Sequence, residues 1–363
     1  MSIYDVQKSQ SEGVRPLECD SHHPIIAAID LGTNSCRLLV ARVNVAGVRT
    51  NYFRSRPKPL SWKVIDSFAK VVRLGEGLHN NDELSKDAIE RAMEALAMCR
   101  KKLDRYHLHS IRAVATEACR RGKNNYILVE RAKKELNIDI EIIDAEEEAS
   151  LALKGCSAML NPHIPYGIVF DIGGGSTEII LVKLKKDGRR RPGYAVPFDV
   201  IDSISIPYGV VTTTEAAGEP IDTMQSHESL QGVILSGLTG FVEKNNINTL
   251  IENNELQITG SSGTVTTLAA FHLGLTQYDR RLVDGMTISY DELYSVIDRI
   301  LKMTREERLG QSNIGFTRAD YVLTGSNILK SICDALPMKT MRIADRGVRE
   351  GILIDLMLDV IKV

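Results

Sequence analysis

Acidic and hydroxyl side chains flank three consecutive glycines at residues 171–178, which read Asp-Ile-Gly-Gly-Gly-Ser-Thr-Glu. Apolar, β-branched runs precede Asp171 and follow Glu178, which predicts two strands joined by a tight turn. Glycines in such a turn can offer bare backbone N–H groups to an anion such as phosphate. Because Asp171 would repel a phosphate unless it held a cation or a water, the pattern favours a phosphate and metal site. An ordinary glycine-rich hairpin is the simpler alternative.

A matching unit occurs near the start of the chain. Residues 30–35 read Asp-Leu-Gly-Thr-Asn-Ser and share with residues 171–176 the order Asp, apolar, Gly, two variable positions, Ser. The separation of 141 residues (171 − 30) is about the size of one domain. Dinucleotide loops and P-loops open a helix, whereas both turns here lead into an apolar strand. The repeat predicts two similar α/β domains, each presenting a phosphate turn to a shared cleft.

Length and composition limit the classes of protein. A chain of 363 residues, 43% hydrophobic and 25% charged, is typical of a globular protein with two or more domains. The net charge of −2 gives no general attraction to nucleic acid or to a membrane surface. The six cysteines are scattered, which argues against a zinc site or disulfide framework and favours a reducing compartment. Residues 1–23 are polar and are predicted to form a disordered tail.

Strands and helices alternate between the two turns, which favours a mainly parallel sheet beside each hairpin. The patterns predict helices at 84–106, 126–136, 291–304 and 347–361, and strands at 110–115, 138–143 and 341–345. Two further segments, starting at 256 and 321, are predicted as strands whose glycine turns open helices. The turn at 260–264 would thereby offer an anion-binding helix N-terminus, or be a plain strand–helix turn. The basic run at 183–191 predicts a solvated hairpin tip rather than a substrate-guiding patch.

Three acids begin another predicted helix after residue 143. Asp144 is a plausible N-cap, and Glu147 lies at the third helical position, where it would complete a capping box. Acids also suit the positive end of a helix dipole. This account covers Glu146 and Glu147 but not Glu148, which is therefore the candidate catalytic acid of the segment.

Taken together, these motifs resemble the exopolyphosphatase/guanosine-pentaphosphate phosphatase (Ppx/GppA) family of the actin–hexokinase ATPase superfamily. The matching segments follow in family order at 30–35, 73–78, 115–120, 147–149, 171–178, 260–264 and 349–351. The resemblance implies an α/β fold of two actin-like (ribonuclease H-like) domains with an interdomain cleft. Domain I would comprise residues 24–143 plus 348–363, and domain II residues 144–347.

The resemblance also implies roles for particular residues. Glu148 would act as general base on the attacking water, and Asp171 and Glu178 would lie around a Mg²⁺ ion, or Mn²⁺. The implied phosphate-binding residues belong to the three glycine turns and include one arginine: Gly32, Thr33, Asn34, Ser35, Arg120, Gly173, Gly174, Gly175, Ser176, Thr177, Gly263 and Thr264. A planar guanidinium such as that of Arg120 suits phosphate better than a lysine would.

The implied activity is hydrolysis of the terminal phosphoanhydride of inorganic polyphosphate, with pppGpp as the alternative or second substrate and a place in the stringent response. A cytoplasmic homodimer that binds neither nucleic acid nor membrane is expected. Residues 144–145 are Asp-Ala where the family often has Ser-Gly or Ser-Pro, which should alter the helix cap and not the base. Longer members carry an HD-related C-terminal domain that is not matched before Val363, so high processivity is not expected.

Two other hypotheses compete with hydrolysis. The first is a phosphotransferase like the sugar and acetate kinases of the superfamily. The Glu-Glu-Ala segment before the second turn favours hydrolysis over transfer. The second is a non-catalytic sensor of alarmone or polyphosphate, against which the retention of Glu148, Asp171 and Glu178 argues.

Overall fold

The computed structural model describes residues 23–44, 61–78, 82–185, 197–217, 224–315 and 318–362. The predicted N-terminal tail, apart from its last residue, and most of the basic run at 183–191 lie outside these residues. The described strands are β1 Ile25–Leu31, β2 Ser35–Asn44, β3 Ser61–Val71, β4 Leu108–Ala115, β5 Ile140–Ile142, β6 Tyr166–Ile172, β7 Thr177–Leu184, β8 Phe198–Ile206, β9 Leu256–Ser261, β10 Thr287–Ser289 and β11 Thr340–Ala344.

The described helices are α1 Lys86–Leu103, α2 Glu117–Arg121, α3 Asn125–Leu136, α4 Ala145–Cys156, α5 Val210–Ala216, α6 Met224–Lys244, α7 Ile247–Glu252, α8 Gly263–His272, α9 Arg280–Val283, α10 Tyr290–Leu301, α11 Arg305–Gly310, α12 Val322–Ala335 and α13 Val348–Lys362. The predicted cap of α1 is confirmed, since the Ser85 hydroxyl accepts a hydrogen bond of 3.2 Å from the Ala88 N–H. In the part of the chain that the structure describes, no helix is long and apolar enough to cross a membrane.

Two sheets share one strand order, which confirms the internal repeat. Counted from the edge beside the antiparallel hairpin, the first sheet runs β3-β2-β1-β4-β5 and the second runs β8-β7-β6-β9-β11-β10. In both, the strand that enters the glycine turn pairs antiparallel with the strand that leaves it and parallel with the strand on its other side. The short strand β10 is an addition at the edge of the second sheet. This order places both glycine turns at the same end of their sheets.

Buried apolar side chains on both faces explain why β1 and β6 lie inside their sheets. Every residue of β1 except Asp30 is buried, and Asp171 is the one partly exposed position near the end of β6. Continuous apolar runs of this kind are typical of strands covered on both sides. The acids at the two strand ends are therefore the first polar groups to reach the open edge of each sheet.

Two helices in close contact connect the cores of the two sheets. Helix α13 packs on β1 and β2, and α4 contributes Leu151 to that core and Leu153 to the core of the second sheet. A Cβ atom at Gly351 would overlap the Leu151 carbonyl of α4. Glycine at position 351 therefore permits the close crossing of these helices. The predicted domain boundaries at 143/144 and 347/348 remain predictions, since α4 serves both cores.

The prediction for residues 321–326 is wrong. No strand precedes the glycine there, because α12 begins at Val322 and runs without interruption to Ala335. A Cβ atom at Gly325 would overlap the Thr264 side chain at the start of α8, so this glycine allows two helices to approach closely and does not form a turn. The prediction for the turn at 260–264 is confirmed, since β9 leads directly into α8.

Candidate active site

A cavity of about 530 Å³ lies between the two sheets and is lined by all three glycine turns. The first two turns face each other at close range. The Thr33 side chain is 4% exposed, and a Cβ atom at Gly174 would lie only 2.9 Å from the Thr33 Cβ. A Cβ atom at Gly175 would overlap the Glu117 side chain. Glycine at both positions is therefore required for the second turn to approach the first half of the molecule.

The two turns are closed by equivalent hydrogen bonds, as expected for a repeat. The Gly32 N–H donates to the Ser35 carbonyl and the Gly173 N–H donates to the Ser176 carbonyl, each at 2.9 Å. The Gly174 carbonyl in turn accepts from the Val211 N–H at 2.9 Å, which fixes the second turn to the start of α5. Backbone hydrogen bonds thus hold both glycine turns in place.

Four carboxylates gather at this end of the sheets, and the strand register places two of them side by side. Asp171 of β6 pairs directly with Glu178 of β7, so their side chains lie on the same face. Burial and the neighbouring Glu178 raise the pKa of Asp171 to about 8. Burial likewise raises the pKa of Glu178 and of Asp30. These shifts arise mainly from burial and mark carboxylates whose ionised form a bound cation would stabilise.

The first turn of α4 carries Glu148 into the cavity. The Asp144 side chain accepts a 2.8 Å hydrogen bond from the Glu147 N–H, which confirms the predicted cap. The Glu147 carboxylate binds Arg112 Nη2 at 2.5 Å, so only half of the predicted capping box forms at this described helix. Burial and the nearby Glu178 raise the pKa of Glu148 to about 7. A carboxylate with a pKa near neutrality is suited to general base catalysis.

Arg120 contacts Glu148 directly, a pairing that sequence reasoning missed. Its Nη1 donates to Glu148 Oε2 at 2.7 Å and to the Ile143 carbonyl at 3.0 Å, and its Nη2 donates to Glu117 Oε2 at 3.3 Å. The guanidinium therefore orients the candidate base and lowers its pKa. In this arrangement both terminal nitrogens of Arg120 donate to protein groups, and its predicted contact with phosphate stays a prediction.

Thr177 and Glu178 lie behind the second glycine turn and do not line the cavity. Thr177 is fully buried, and its hydroxyl donates to the Tyr208 carbonyl at 2.7 Å. Glu178 accepts hydrogen bonds from the Ser176 hydroxyl and, at 3.0 Å, from the Ser205 hydroxyl. The other predicted turn residues line the cavity: Gly32, Thr33, Asn34, Ser35, Gly173, Gly174, Gly175, Ser176, Gly263 and Thr264.

Two arginines that the sequence analysis did not select meet beside the third turn. A Cβ atom at Gly263 would lie 3.9 Å from Nη2 of both Arg37 and Arg318. Arg318 Nη1 donates to the Thr267 hydroxyl at 2.7 Å, and burial together with Arg37 lowers the pKa of Arg318. Two guanidinium groups held this close in a cavity favour an anion between them. The repeat contains a signal for Arg37, since Arg37 pairs with Asp30 as Glu178 pairs with Asp171.

The residues present fit a divalent cation that binds together with its substrate. Among the described residues, no three His, Cys, Asp or Glu side chains form a metal cage by themselves. Mg²⁺ commonly uses only one or two carboxylates, together with waters and substrate phosphates. Asp171 lines the cavity and could ligate such an ion, and Glu178, which pairs with it from behind the turn, would add negative charge beside the ion.

Comparison with known proteins gives the class to which this fold and site belong. Residues 55–360 match the Ppx/GppA phosphatase family, and the chain belongs to that family. The chain is similar to the Aquifex aeolicus PPX-GPPA enzyme, with 26% identity, a TM-score of 0.70, and coverage of 92% of this chain and 99% of that one. The predicted fold of two actin-like domains is thereby confirmed.

Curated relatives are named for two substrates. The chain is 27% identical over 344 residues to Exopolyphosphatase 2 of Mycobacterium tuberculosis, covering 91% of this chain and 98% of the relative. It is 26% identical over 344 residues to the guanosine-5'-triphosphate,3'-diphosphate pyrophosphatase of Photobacterium profundum. That alignment covers 92% of this chain but only 59% of the relative.

Proposed function

We propose that this chain is an exopolyphosphatase, which hydrolyses the terminal phosphoanhydride of inorganic polyphosphate and releases orthophosphate. The observation that carries the proposal is the convergence of a carboxylate with a pKa near 7, two glycine turns and a pair of arginines in one cleft. Phosphoryl transfer to water requires little more than positioned water and neutralised phosphate oxygens.

Glu148 is the proposed general base. At neutral pH a group with a pKa of about 7 is close to half ionised, so it can accept a proton from water without being fully protonated beforehand. The water oxygen then bonds to the terminal phosphorus, and the bridging P–O bond breaks with its electron pair going to the shortened chain. Arg120 holds the carboxylate in place through its 2.7 Å hydrogen bond to Oε2.

The remaining residues would bind and neutralise the terminal phosphate. The glycine turns supply N–H groups, and Arg37 and Arg318 supply positive charge from the side of the third turn. Asp171 and Glu178 would hold Mg²⁺, or Mn²⁺, close to the phosphate. When bound, such an ion neutralises charge on the transferred group. The family resemblance also supports a cytoplasmic homodimer, which we include in the proposal.

Hydrolysis of the 5′-terminal phosphate of pppGpp is the second candidate activity. The similarity to the Photobacterium profundum pyrophosphatase favours it, and it would give the protein a part in the stringent response. Both substrates end in a phosphoanhydride, so the same cleft chemistry would serve either one. The choice between them depends on the portion of substrate beyond the terminal phosphates.

Phosphate release from tripolyphosphate, long-chain polyphosphate and pppGpp with Mg²⁺ tests the proposal. We expect turnover by the wild type and, for Glu148→Gln, a loss of about 10²- to 10⁴-fold in kcat with substrate binding retained. Glu146→Gln is the matched control, because Glu146 is an exposed acid in the same helical turn. A Glu148→Gln variant that keeps most of its rate would refute the assignment of the base.

A further inference from the structure

The turn at residues 73–77 is fastened to the first phosphate turn. The Arg73 N–H donates to the Asn34 carbonyl at 3.1 Å, and the Gly75 N–H donates to the Thr33 carbonyl at 2.9 Å. From the opposite side, Arg91 of α1 donates to the Arg73 carbonyl at 3.2 Å. The turn therefore moves with the first half of the molecule.

The same turn also reaches across the cleft to the second half. The Arg73 guanidinium lies 5.9 Å from the centre of the Tyr321 ring, within the range of a cation–π interaction. Beside it, the Gly77 N–H donates to Glu215 Oε2 of α5 at 3.3 Å. These two contacts bridge the cavity on the side where Tyr321 forms part of the wall.

Tyr321 is coupled through the backbone to one of the two cavity arginines. Its N–H donates to the Arg318 carbonyl at 3.0 Å, and the next residue, Val322, donates to the same oxygen at 2.9 Å. A continuous series of contacts thus runs from Asn34 in the first phosphate turn, through Arg73 and Tyr321, to Arg318 beside the third turn.

The backbone at Arg73 supports a role for its side chain. Arg73 has a φ angle of +46°, a region that glycine adopts more readily than any other residue. Glycine would thus suit this backbone better than arginine does. What arginine adds at this position is a guanidinium directed at the Tyr321 ring. Unfavourable backbone angles of this kind are frequent at functional sites.

We propose that Arg73 and Tyr321 are positioning residues, which hold the first phosphate turn and Arg318 at the separation that a terminal phosphate requires. The inference rests on the proposed phosphatase activity. Without the pair, the two walls of the cleft are less often at this separation, and the apparent affinity for phosphate falls in proportion. Bound phosphate still contacts both walls, so turnover at saturating substrate changes little.

The test compares Arg73→Gly and Tyr321→Leu with Tyr321→Phe, which keeps the ring. We expect KM for tripolyphosphate to rise about 3- to 30-fold in the first two variants, with kcat within about twofold of the wild type. Tyr321→Phe should behave as the wild type, and the double variant should be no weaker than either single one. Arg299→Gln is the matched control, since Arg299 lies 4.6 Å from the Phe271 ring on α10, a helix that does not line the cavity.

Calorimetric titration of tripolyphosphate in a Glu148→Gln background repeats the comparison without turnover, so it separates this inference from the proposed activity. Equal melting temperatures would show that each variant folds, and Arg73→Asn, which removes the charge and tolerates the positive φ angle, replaces Arg73→Gly if the latter does not fold. The inference is overturned if the two single effects multiply in the double variant, or if Tyr321→Phe is as harmful as Tyr321→Leu. It is also overturned if kcat falls while the affinity is unchanged.

Discussion

Replacing Arg120 by glutamine should move the acid limb of the pH–rate profile to higher pH. Glu148 must be ionised to accept a proton, so kcat/KM should fall tenfold per pH unit below the pKa of about 7. The Arg120 guanidinium, 2.7 Å from Glu148 Oε2, stabilises the ionised form. Without it the carboxylate holds its proton to higher pH, and the limb shifts upward.

The size of the shift follows from the contact that is lost. A hydrogen bond to a charged group contributes about 1.5–3 kcal/mol, and one pKa unit corresponds to about 1.4 kcal/mol. Since the Glu148 side chain is 20% exposed, water replaces part of the lost contact. We therefore expect the limb to move by roughly one unit, to about pH 8.

The assay is initial phosphate release from tripolyphosphate between pH 5.5 and 9.5 at saturating Mg²⁺, with the limb fitted for each variant. A bound cation shifts both profiles in the same direction, so the difference between them is the quantity to compare. Arg112→Gln is the control, because Arg112 makes a similar 2.5 Å contact with Glu147, which neighbours Glu148 on α4. A limb that stays in place or moves to lower pH in Arg120→Gln would refute the role of this arginine.

Other substitutions test the remaining features. Burial in the folded protein raises the pKa of Asp171 to about 8. The folded protein therefore becomes less stable as pH rises from about 4 to 8, because this buried carboxyl loses its proton. Asp171→Asn should therefore unfold at higher urea than the wild type at pH 8.5 without Mg²⁺, by roughly 1–3 kcal/mol, and added Mg²⁺ should narrow the gap. Gly351→Ala should destabilise the protein by about 2 kcal/mol or more in the same assay, because its Cβ would overlap Leu151. Gly232→Ala, on an open helix face, should stabilise it by about 0.5–1 kcal/mol. Arg318→Gln should raise KM for tripolyphosphate by roughly tenfold with kcat little changed, through the loss of one charge-assisted phosphate contact.

Local patterns were sufficient to predict the repeat and the elements that carry it. The turns at 30–35 and 171–176 differ in sequence, but both have the order Asp, apolar, Gly, two variable positions, Ser between apolar strands. Both turns also close with the same backbone hydrogen bond. Helix α4 and its Asp144 cap could be predicted because capping depends on residues only three positions apart. The candidate base, Glu148 at the fourth helical position, was selected because the same local pattern did not account for it.

Contacts between distant residues could not be predicted from one sequence. Arg37 and Arg318 are 281 positions apart (318 − 37), and only the packing of the two halves brings them beside Gly263. Local sequence patterns also do not distinguish two structural roles of glycine, in turns and at close helix contacts. Gly173 belongs to a turn, whereas Gly325 lies inside a helix where a neighbouring side chain leaves no room for a Cβ atom.

The two halves of the molecule match in topology but differ in charge at one equivalent pair of positions. In the first half Asp30 stands beside Arg37, and in the second Asp171 stands beside Glu178. A perfect duplicate would have presented identical walls, and a phosphate group could then have entered in either of two equivalent orientations. The acid of the Asp30–Arg37 pair is offset by its arginine, whereas the Asp171–Glu178 pair has no such partner, so the excess negative charge lies on the β6–β7 side of the cleft. A cation is therefore attracted to one side of the cleft, a preference that a symmetric scaffold alone could not provide.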